Sequence, residues 1–281
     1  MPTILITNDD GIDSPMLVPL VQRVQRLGTV RVVVPDAERS WTGKAITRFD
    51  VVHVHPTVRD GIPMYAVKGT PADCVSLGVH TLFDALPDFV ISGINLGLNY
   101  GLAFVLSSGT VGAAMEAWIA GIPSIAFSMA IPHDAYGLTG ARRIEALGAR
   151  PPAAAGIAGE ISETILTRGF PGDVDSFSVN MPADVDAETP RVVSRLTRSR
   201  YGPLFVPGPE GGYLHRFQSL AALEDPEDGD MQVVQRGAIA ITPLRLDFSS
   251  TLSDSSLRAA LSSPPSPLAK GLPSASLKGS G

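Results

Sequence analysis

The stretch ILITNDDGIDSP (residues 4–15) places two adjacent acidic residues directly after an apolar run. Residues 3–7 form a short apolar run of mostly β-branched residues, which predicts a buried strand. The next segment, SPMLVPLVQRVQRLG (residues 14–28), repeats apolar residues at helical spacing and predicts a helix. A second apolar run at 30–34 completes a strand–helix–strand unit. The two strands are therefore expected to be parallel and joined by a right-handed crossover.

The same alternation returns further along the chain. Thr70 and Pro71 are residue types that favour the N-cap and first turn of a helix, and the apolar run PDFVISG (residues 87–93) follows. Another helix is predicted to open at SSGT (residues 107–110), ahead of an apolar run at 123–128. Continuously apolar strands in successive βα units are typical of a parallel sheet covered on both faces. The predicted fold class is α/β: a three-layer, Rossmann-like, mostly parallel sheet with helices on both faces.

Beyond about residue 150 the chain changes character. Residues 182–235 are rich in Pro, Gly and charge, which predicts extended arm or hairpin elements, and a closing strand is predicted near 238–242. One domain is expected over residues 1–252, with its core at about 1–180 and its arm and closing strand at about 181–252. Residues 253–281 are dominated by Ser, Pro, Ala and Gly, which predicts a flexible tail.

Composition and charge restrict the class of protein. The net charge is -6, and no basic stripe occurs along the chain, so we expect no binding to long nucleic acids. Cys74 is the only cysteine, which excludes an intrachain disulfide and favours a reducing compartment. No apolar run reaches the length of a bilayer span. These features predict a cytoplasmic protein that does not associate with membranes.

Oxygen-bearing side chains follow three of the predicted strands. Asp9 and Asp10 follow the first strand, Ser40 follows the second, and Asn95 follows the strand PDFVIS. In an open parallel sheet, ligands bind beyond the carboxyl ends of the strands, so these four side chains are expected to converge. Two carboxylates, a hydroxyl and a carboxamide are suitable ligands for a hard divalent cation such as Mg²⁺ or Mn²⁺.

The loop and helix start that follow Asn95 suggest a phosphate site. The glycines of GINLGLNYG (residues 93–101) allow sharp turns and close approach of a ligand to the backbone. The N-terminus of the helix near Ser108 offers free N–H groups and the positive end of a dipole to an anion. Purely structural interpretations remain open at this point: Asp9 and Asp10 as helix caps, Ser40 as a turn residue, and Ser108 as an N-cap.

Six motifs together resemble the SurE family of metal-dependent nucleotide phosphatases. They are NDDGI, PDAERS, GTPADCV, SGINLGLNYG, SGTVGAAMEA and GIPSIAFS, in the family's order over about residues 3–128, and ITPLRLDFS resembles the family's closing segment. The resemblance implies one divalent metal ion per subunit, held by Asp9, Asp10, Ser40 and Asn95. It also implies a phosphate pocket lined by Asn99, Ser108, Gly109 and Thr110. The arm and C-terminal segment would exchange between subunits of a homodimer or homotetramer.

One residue departs from the family pattern. Trp41 follows Ser40 at a position where the family usually has a small residue. Its indole is either a wall for the base of a nucleotide or a packed anchor of the loop, and the sequence leaves both interpretations open.

The function implied is hydrolysis of nucleoside 5′-monophosphates to nucleoside and phosphate, with the 3′-monophosphates as a second candidate substrate. Asp9 and Asp10 are the candidate catalytic residues, and Asp9 is the better candidate for orienting the attacking water. The alternative is a non-enzymatic nucleotide or metal sensor on the same fold. A dinucleotide oxidoreductase is disfavoured because no G-x-G-x-x-G motif follows the first strand.

Overall fold

The computed structural model describes residues 1–249 and residue 258. Residues Met1–Leu246 form one compact unit, to which the description below refers. The second unit, Asp247–Gly281, is described only at residues 247–249 and 258, where Asp247 Oδ1 accepts a hydrogen bond from the Ser249 backbone N–H at 2.8 Å. The tail predicted over residues 253–281 therefore lies outside the described residues, apart from residue 258, and the predicted domain limits stay predictions.

The helices and strands have the following bounds. The helices are α1 Leu17–Val24, α2 Pro71–His80, α3 Gly101–Ser107, α4 Gly109–Ile119, α5 Gly140–Leu147, α6 Arg150–Arg168 and α7 Asp230–Gln235. The strands of the first half are β1 Thr3–Thr7, β2 Thr29–Pro35, β3 His53–Arg59, β4 Ile62–Lys68, β5 Phe89–Leu96 and β6 Ser124–Met129. Those of the second half are β7 Ser176–Met181, β8 Arg191–Val193, β9 Ser199–Tyr201, β10 Phe205–Pro207, β11 Tyr213–His215, β12 Leu220–Ala222 and β13 Ile239–Leu244.

A nine-stranded, mostly parallel sheet forms the centre of the fold, in the order β3-β4-β2-β1-β5-β6-β7-β13-β8. The six strands from β4 to β7 are mutually parallel. β3 and β13 are antiparallel to their neighbours β4 and β7, and β8 runs parallel to β13. The predicted fold class is confirmed, and the strands β2, β1 and β5 that precede the candidate site lie side by side.

The two faces of β1 show why the sheet has helices on both sides. Ile4 and Ile6 pack in a cluster with residues of α1 and α6, whereas Leu5 packs in a second cluster with residues of α2 and α4. All three side chains are fully buried. Because successive side chains of a strand point to opposite faces, a run that is apolar at every position requires cover on both faces.

The helix α2 begins at the predicted capping residues. Thr70 is the N-cap, Pro71 occupies the first turn, and Asp73 completes a reciprocal capping box with Thr70. Asp73 Oδ2 also accepts a hydrogen bond from Thr47 Oγ1 at 2.6 Å, which attaches the loop after β2 to this helix. Cys74 is fully buried in the same helix, in agreement with a core position.

The helix α3 lies between the predicted glycine-rich loop (residues 93–101) and the predicted helix start at 107–110, in a segment for which the sequence predicted no element. Its own sequence gives little support, since it is seven residues long and buries only Gly101 and Val105. Distant residues fasten it instead: Asp230 Oδ2 accepts a hydrogen bond from the Gly101 N–H at 2.8 Å, and Ser199 Oγ accepts one from the Ala103 N–H at 3.0 Å. Tertiary contacts therefore fix a helix that local propensity does not predict.

The predicted arm consists of two antiparallel strand pairs. β9 pairs with β12, and β10 pairs with β11 beyond them, so residues 199–222 form an interrupted hairpin. The buried carboxylate of Asp230 anchors the base of this arm, because its Oδ1 accepts hydrogen bonds from the backbone N–H groups of Thr197 at 3.0 Å and Met231 at 2.8 Å. A buried carboxylate that is satisfied by backbone donors holds these segments firmly together.

No single helix among the described residues is long and apolar enough to cross a bilayer. The bent pair α3 and α4, which meet at 70°, passes that test on length and composition alone.

Candidate active site

A small pocket of about 160 Å³ opens at the carboxyl edge of the sheet, beyond β1, β2 and β5. It brings together most of the predicted site residues, and the predicted ones that line it are Asp9, Ser40, Asn95, Asn99 and Ser108. Trp41, Phe104 and Ser107 complete much of its wall. The adjacency of the three strands produces this convergence, as expected for ligand sites in parallel sheets.

Asp9 lies at the bottom of this arrangement, with only 4% of its surface exposed. Its Oδ1 accepts a hydrogen bond from Thr110 Oγ1 at 2.5 Å, and its backbone carbonyl accepts one from the Arg39 N–H at 2.7 Å. The first contact ties the carboxylate to the start of α4, and the second ties its backbone to the loop that leads to Ser40. Asp9 is thus held by two of the elements that surround the pocket.

Asp10 faces a different side of the same strand end. Its Oδ2 accepts a hydrogen bond from the Leu96 backbone N–H at 3.0 Å and lies 3.5 Å from Ser14 Oγ. It lines a neighbouring cleft together with Glu38 and Arg143, whereas Asp9 lines the pocket described above. The structure therefore places the two predicted metal-binding carboxylates next to each other, with only Asp9 lining the small pocket.

Ser40 and Asn95 both line the pocket. Ser40 Oγ donates a hydrogen bond to Glu38 Oε1 at 2.6 Å, and Asn95 Nδ2 donates one to the Gly97 carbonyl at 2.7 Å. Because the amide nitrogen of Asn95 is engaged, its carboxamide oxygen is the atom without a hydrogen-bond partner in the described part of the chain. Both residues thus retain lone pairs that can bind a cation.

The predicted phosphate residues fall into two groups. Ser108 lines the pocket and is also the N-cap of α4, since its Oγ accepts a hydrogen bond from the Val111 N–H at 3.1 Å. Gly109 and Thr110 lie behind the wall. A Cβ on Gly109 would lie only 2.9 Å from the Cβ of Asp9, so a glycine is required for α4 to start this close to the carboxylate.

Backbone donors at this helix start are not equivalent. The Ser108 N–H donates to the Phe104 carbonyl at 2.8 Å, and the Thr110 N–H acts on Asp9, where it lowers the pKa of the carboxyl. The Gly109 N–H has no acceptor among the residues that the structure describes. Of the three predicted donors, Gly109 is therefore the one that is available to an anion.

Asn99 is held rigidly by residues at the ends of the next two strands. Its backbone N–H donates to Asn180 Oδ1 at 2.8 Å, and its Nδ2 donates to Ser128 Oγ at 2.9 Å and lies 3.4 Å from Thr110 Oγ1. Ser128 and Asn180 were not predicted as site residues. They belong to β6 and β7, so the rule that selected Asp9 and Asn95 also applies to them.

The two carboxylates share an unfavourable electrostatic environment. Burial raises the pKa of Asp9 from 3.8 to about 6, against the hydrogen bonds from Thr110. Burial, followed by the neighbouring Asp9 charge, raises the pKa of Asp10 from 3.8 to about 8. No Lys, Arg or His side chain of residues 1–249 forms an ion pair with either carboxylate. A cation held between them would remove this repulsion.

The donor set fits a divalent cation that prefers oxygen. The buried Asp9 and the half-buried Asp10, neither with an ion-pair partner, lie near a serine hydroxyl and an unpaired carboxamide oxygen. Within the described residues, no cluster of three or more His, Cys, Asp or Glu side chains offers a competing metal site. Oxygen-only ligands favour Mg²⁺ or Mn²⁺ over metals that prefer thiolate or imidazole.

The raised pKa values give a prediction for the metal-free protein. Between pH 3.8 and about 8 the unfolded Asp10 is ionised while the folded Asp10 retains its proton, so the folded state binds more protons. Stability is therefore expected to fall as pH rises through this window, and Asp10→Asn should flatten the decline. Thermal unfolding in the presence of a chelator measures the effect, with the exposed Asp13→Asn as the matched control. A stability that rises over the same interval would contradict the prediction.

Fold and site together define a doubly covered, mostly parallel α/β protein with an acidic, oxygen-rich pocket at the carboxyl edge of its sheet. The family described as "Survival protein SurE" matches residues 4–203 of this chain. The chain belongs to the SurE family.

Individual relatives agree with this assignment over nearly the whole chain. A protein of Methanocella arvoryzae named "5'-nucleotidase SurE" is 38% identical over 249 residues, which cover 87% of this chain and 92% of the relative. A protein of Geobacter sulfurreducens with the same name is 39% identical over 260 residues, covering 91% and 92% respectively. The crystal structure of the SurE protein from Aquifex aeolicus superposes with a TM-score of 0.72 at 31% identity, covering 92% of this chain and 100% of that one.

Proposed function

We propose that this SurE-family chain is a metal-dependent phosphomonoesterase that hydrolyses nucleoside 5′-monophosphates to nucleoside and phosphate. The 3′-monophosphates are a second candidate substrate. The observation that carries the proposal is the pocket itself, in which a buried carboxylate without an ion-pair partner lies beside the neutral oxygen ligands Ser40 and Asn95. The names of the Methanocella and Geobacter relatives support a 5′-nucleotidase over other phosphatases.

Four residues would hold one divalent ion per subunit, Mg²⁺ or Mn²⁺: Asp9, Asp10, Ser40 and Asn95. When bound, such an ion polarises a phosphoryl oxygen and lowers the pKa of a coordinated water. Asp9 and Asp10 provide the negative charge that attracts the ion, and Asn95 provides the carboxamide oxygen that its contact with Gly97 leaves free. The fit of the site to a cation supports this assignment.

The remaining residues bind and orient the phosphate. The Gly109 N–H at the start of α4 is available to a phosphoryl oxygen, and the positive end of the helix dipole reinforces that contact. Asn99 is held nearby: Asn180 fixes its backbone, and the contacts of its Nδ2 with Ser128 and Thr110 keep its carboxamide from rotating freely. Thr110 fixes Asp9 Oδ1, which positions this carboxylate to orient the attacking water or accept its proton. Ser108 caps the helix and closes the wall between these groups.

We also propose the cellular setting and the assembly that the sequence indicated. The arm β9–β12 carries exposed apolar side chains, among them Phe205, Tyr213 and Leu214, which favour contact with a second copy in a homodimer or homotetramer. A single buried cysteine suits the reducing cytoplasm.

Phosphate release from 5′- and 3′-nucleoside monophosphates, in Mg²⁺, in Mn²⁺ and in excess EDTA, tests the proposal. We expect release with either metal and its loss in EDTA. We also expect the metal to raise the melting temperature near neutral pH, because it binds only the folded state. A folded protein that binds the metal and the nucleotide but releases no phosphate would overturn the enzymatic proposal in favour of a sensor.

A further inference from the structure

An aromatic cluster surrounds the mouth of the pocket. The Trp41 ring lies 4.8 Å from His215, 5.3 Å from Tyr201, 5.8 Å from Phe104 and 5.9 Å from Phe217, measured between ring centroids. Trp41 and Phe104 also line the pocket. The cluster and the candidate phosphate site are therefore contiguous.

The cluster is assembled from three separate parts of the chain: the loop after β2, the helix α3 and the arm. Tyr201 fixes the arm to α3, because its hydroxyl contacts the Ala103 carbonyl and Ser107 Oγ. Ser107 itself lines the pocket. The position of the aromatic cluster relative to the pocket is thus set by hydrogen bonds as well as by packing.

Trp41 is not a simple buried anchor. Its backbone has φ = +63°, a left-handed conformation that is rare for a bulky residue and frequent at functional positions. As whole residues, Trp41 is 38% exposed and Phe217 is 41% exposed. A loop anchor is expected to be buried, whereas Trp41 stays partly exposed and lines the pocket, with Phe217 as its neighbour in the cluster.

The volume of the pocket indicates that only part of a nucleotide can occupy it. Sites that enclose a drug-sized ligand measure about 300–1,000 Å³, whereas this pocket measures about 160 Å³. It has room for a phosphate and its attached atoms but not for a whole nucleotide. The base of a bound nucleoside monophosphate must then lie outside, next to the aromatic cluster.

We propose that Trp41 and Phe217 form a stacking platform for the nucleobase while the phosphate occupies the pocket. This inference rests on the proposed function and specifies how the substrate is chosen. Every base has a π-face, so stacking accepts all bases and favours the larger purines. The platform also distinguishes nucleotides from sugar phosphates, which have no ring to stack.

A pair of substrates that differ only in the base tests the platform. We compare kcat/KM for adenosine 5′-monophosphate and for ribose 5-phosphate in the wild type, Trp41→Ala and Trp41→Phe. Trp41→Ala is expected to lower the value for the nucleotide about tenfold more than that for ribose 5-phosphate, within the range measured for base–aromatic stacking. Trp41→Phe should retain most of the preference. Equal losses on both substrates, or no loss, would overturn the inference.

The second tryptophan of the chain provides a control and an independent measurement. Trp118 is exposed to a similar extent, 37%, but lines a groove that contains none of the site residues. Trp118→Ala should leave the substrate preference intact, and Trp118→Phe leaves Trp41 as the only tryptophan. In that variant, adenosine but not ribose should quench the tryptophan fluorescence, which then comes from Trp41 alone.

Quenching separates failure of the inference from failure of the proposed function, because adenosine has no phosphate to release. Quenching without hydrolysis of any nucleotide would support the platform and reject the enzymatic function. Hydrolysis without quenching, and with an unchanged substrate preference in Trp41→Ala, would reject the platform alone.

Discussion

Asp9→Asn is expected to lower kcat for phosphate release by about 10²- to 10³-fold, a magnitude typical for loss of one electrostatic group in an active site. The substitution preserves the shape of the side chain, and an amide oxygen can still accept the Thr110 hydroxyl hydrogen bond. It removes the negative charge that lines the pocket. Metal binding should become weaker and the attacking water less well oriented, because the proposed chemistry depends on that charge.

Two observations distinguish this result from simple unfolding. Asp9→Asn should be at least as stable as the wild type without metal, because burial raises the pKa of Asp9 and disfavours its ionised form. Asp13→Asn, an exposed carboxylate four residues away in the same loop, should retain normal activity. Near-normal turnover in a folded, metal-saturated Asp9→Asn would remove this residue from the mechanism.

Gly112→Ala is expected to give the largest combined effect on stability and activity. A Cβ at this position in α4 would lie 2.5 Å from the carbonyl carbon of Gly43 and 2.8 Å from the backbone nitrogen of Lys44. Neither atom can move without displacing the loop that carries Ser40 and Trp41. Overpacking of this kind costs about 1–3 kcal/mol, and a displacement of about 1 Å in a catalytic loop can lower activity about 10²-fold.

Gly156→Ala is the matched control for the loss of a helical glycine. Gly156 lies in α6, and a Cβ there would meet nothing within 4 Å. That substitution should stabilise the protein by about 0.5–1 kcal/mol and leave kcat/KM unchanged. Thermal unfolding and phosphate release, measured on both variants, check the comparison. Equal behaviour of the two would show that the contact between α4 and the loop has no influence on the site.

Local sequence patterns predicted the parts of the fold that local chemistry controls. The apolar run of β1 has the predicted bounds, Thr3–Thr7, and Thr70 is the N-cap of α2. The resemblance to SurE is confirmed by the family match and by relatives that cover most of the chain. Because sheet order follows from βα repeats, the convergence of Asp9, Ser40 and Asn95 was also predictable.

Features that depend on distant residues were not predictable. The helix α3 requires Asp230 and Ser199, which are more than 90 residues away in sequence. The different orientations of Asp9 and Asp10 depend on which neighbour, Thr110 or Leu96, each carboxylate meets. The aromatic cluster joins the loop after β2 to the arm, and no periodicity in either segment indicates that pairing.

The strand order has a consequence for the sequence of events during synthesis. Among the described strands, β8 pairs with β13 alone, and β13 is the last of them to be synthesised. The parallel strands from β4 to β7 can pair earlier, because their partners are already present. The strand ends that carry Asp9 and Asn95 can therefore form on a nascent chain, whereas α3, which lines the pocket, waits for its contacts with the arm and α7. The candidate metal ligands are thus synthesised well before the residues of the arm that complete the wall of the pocket.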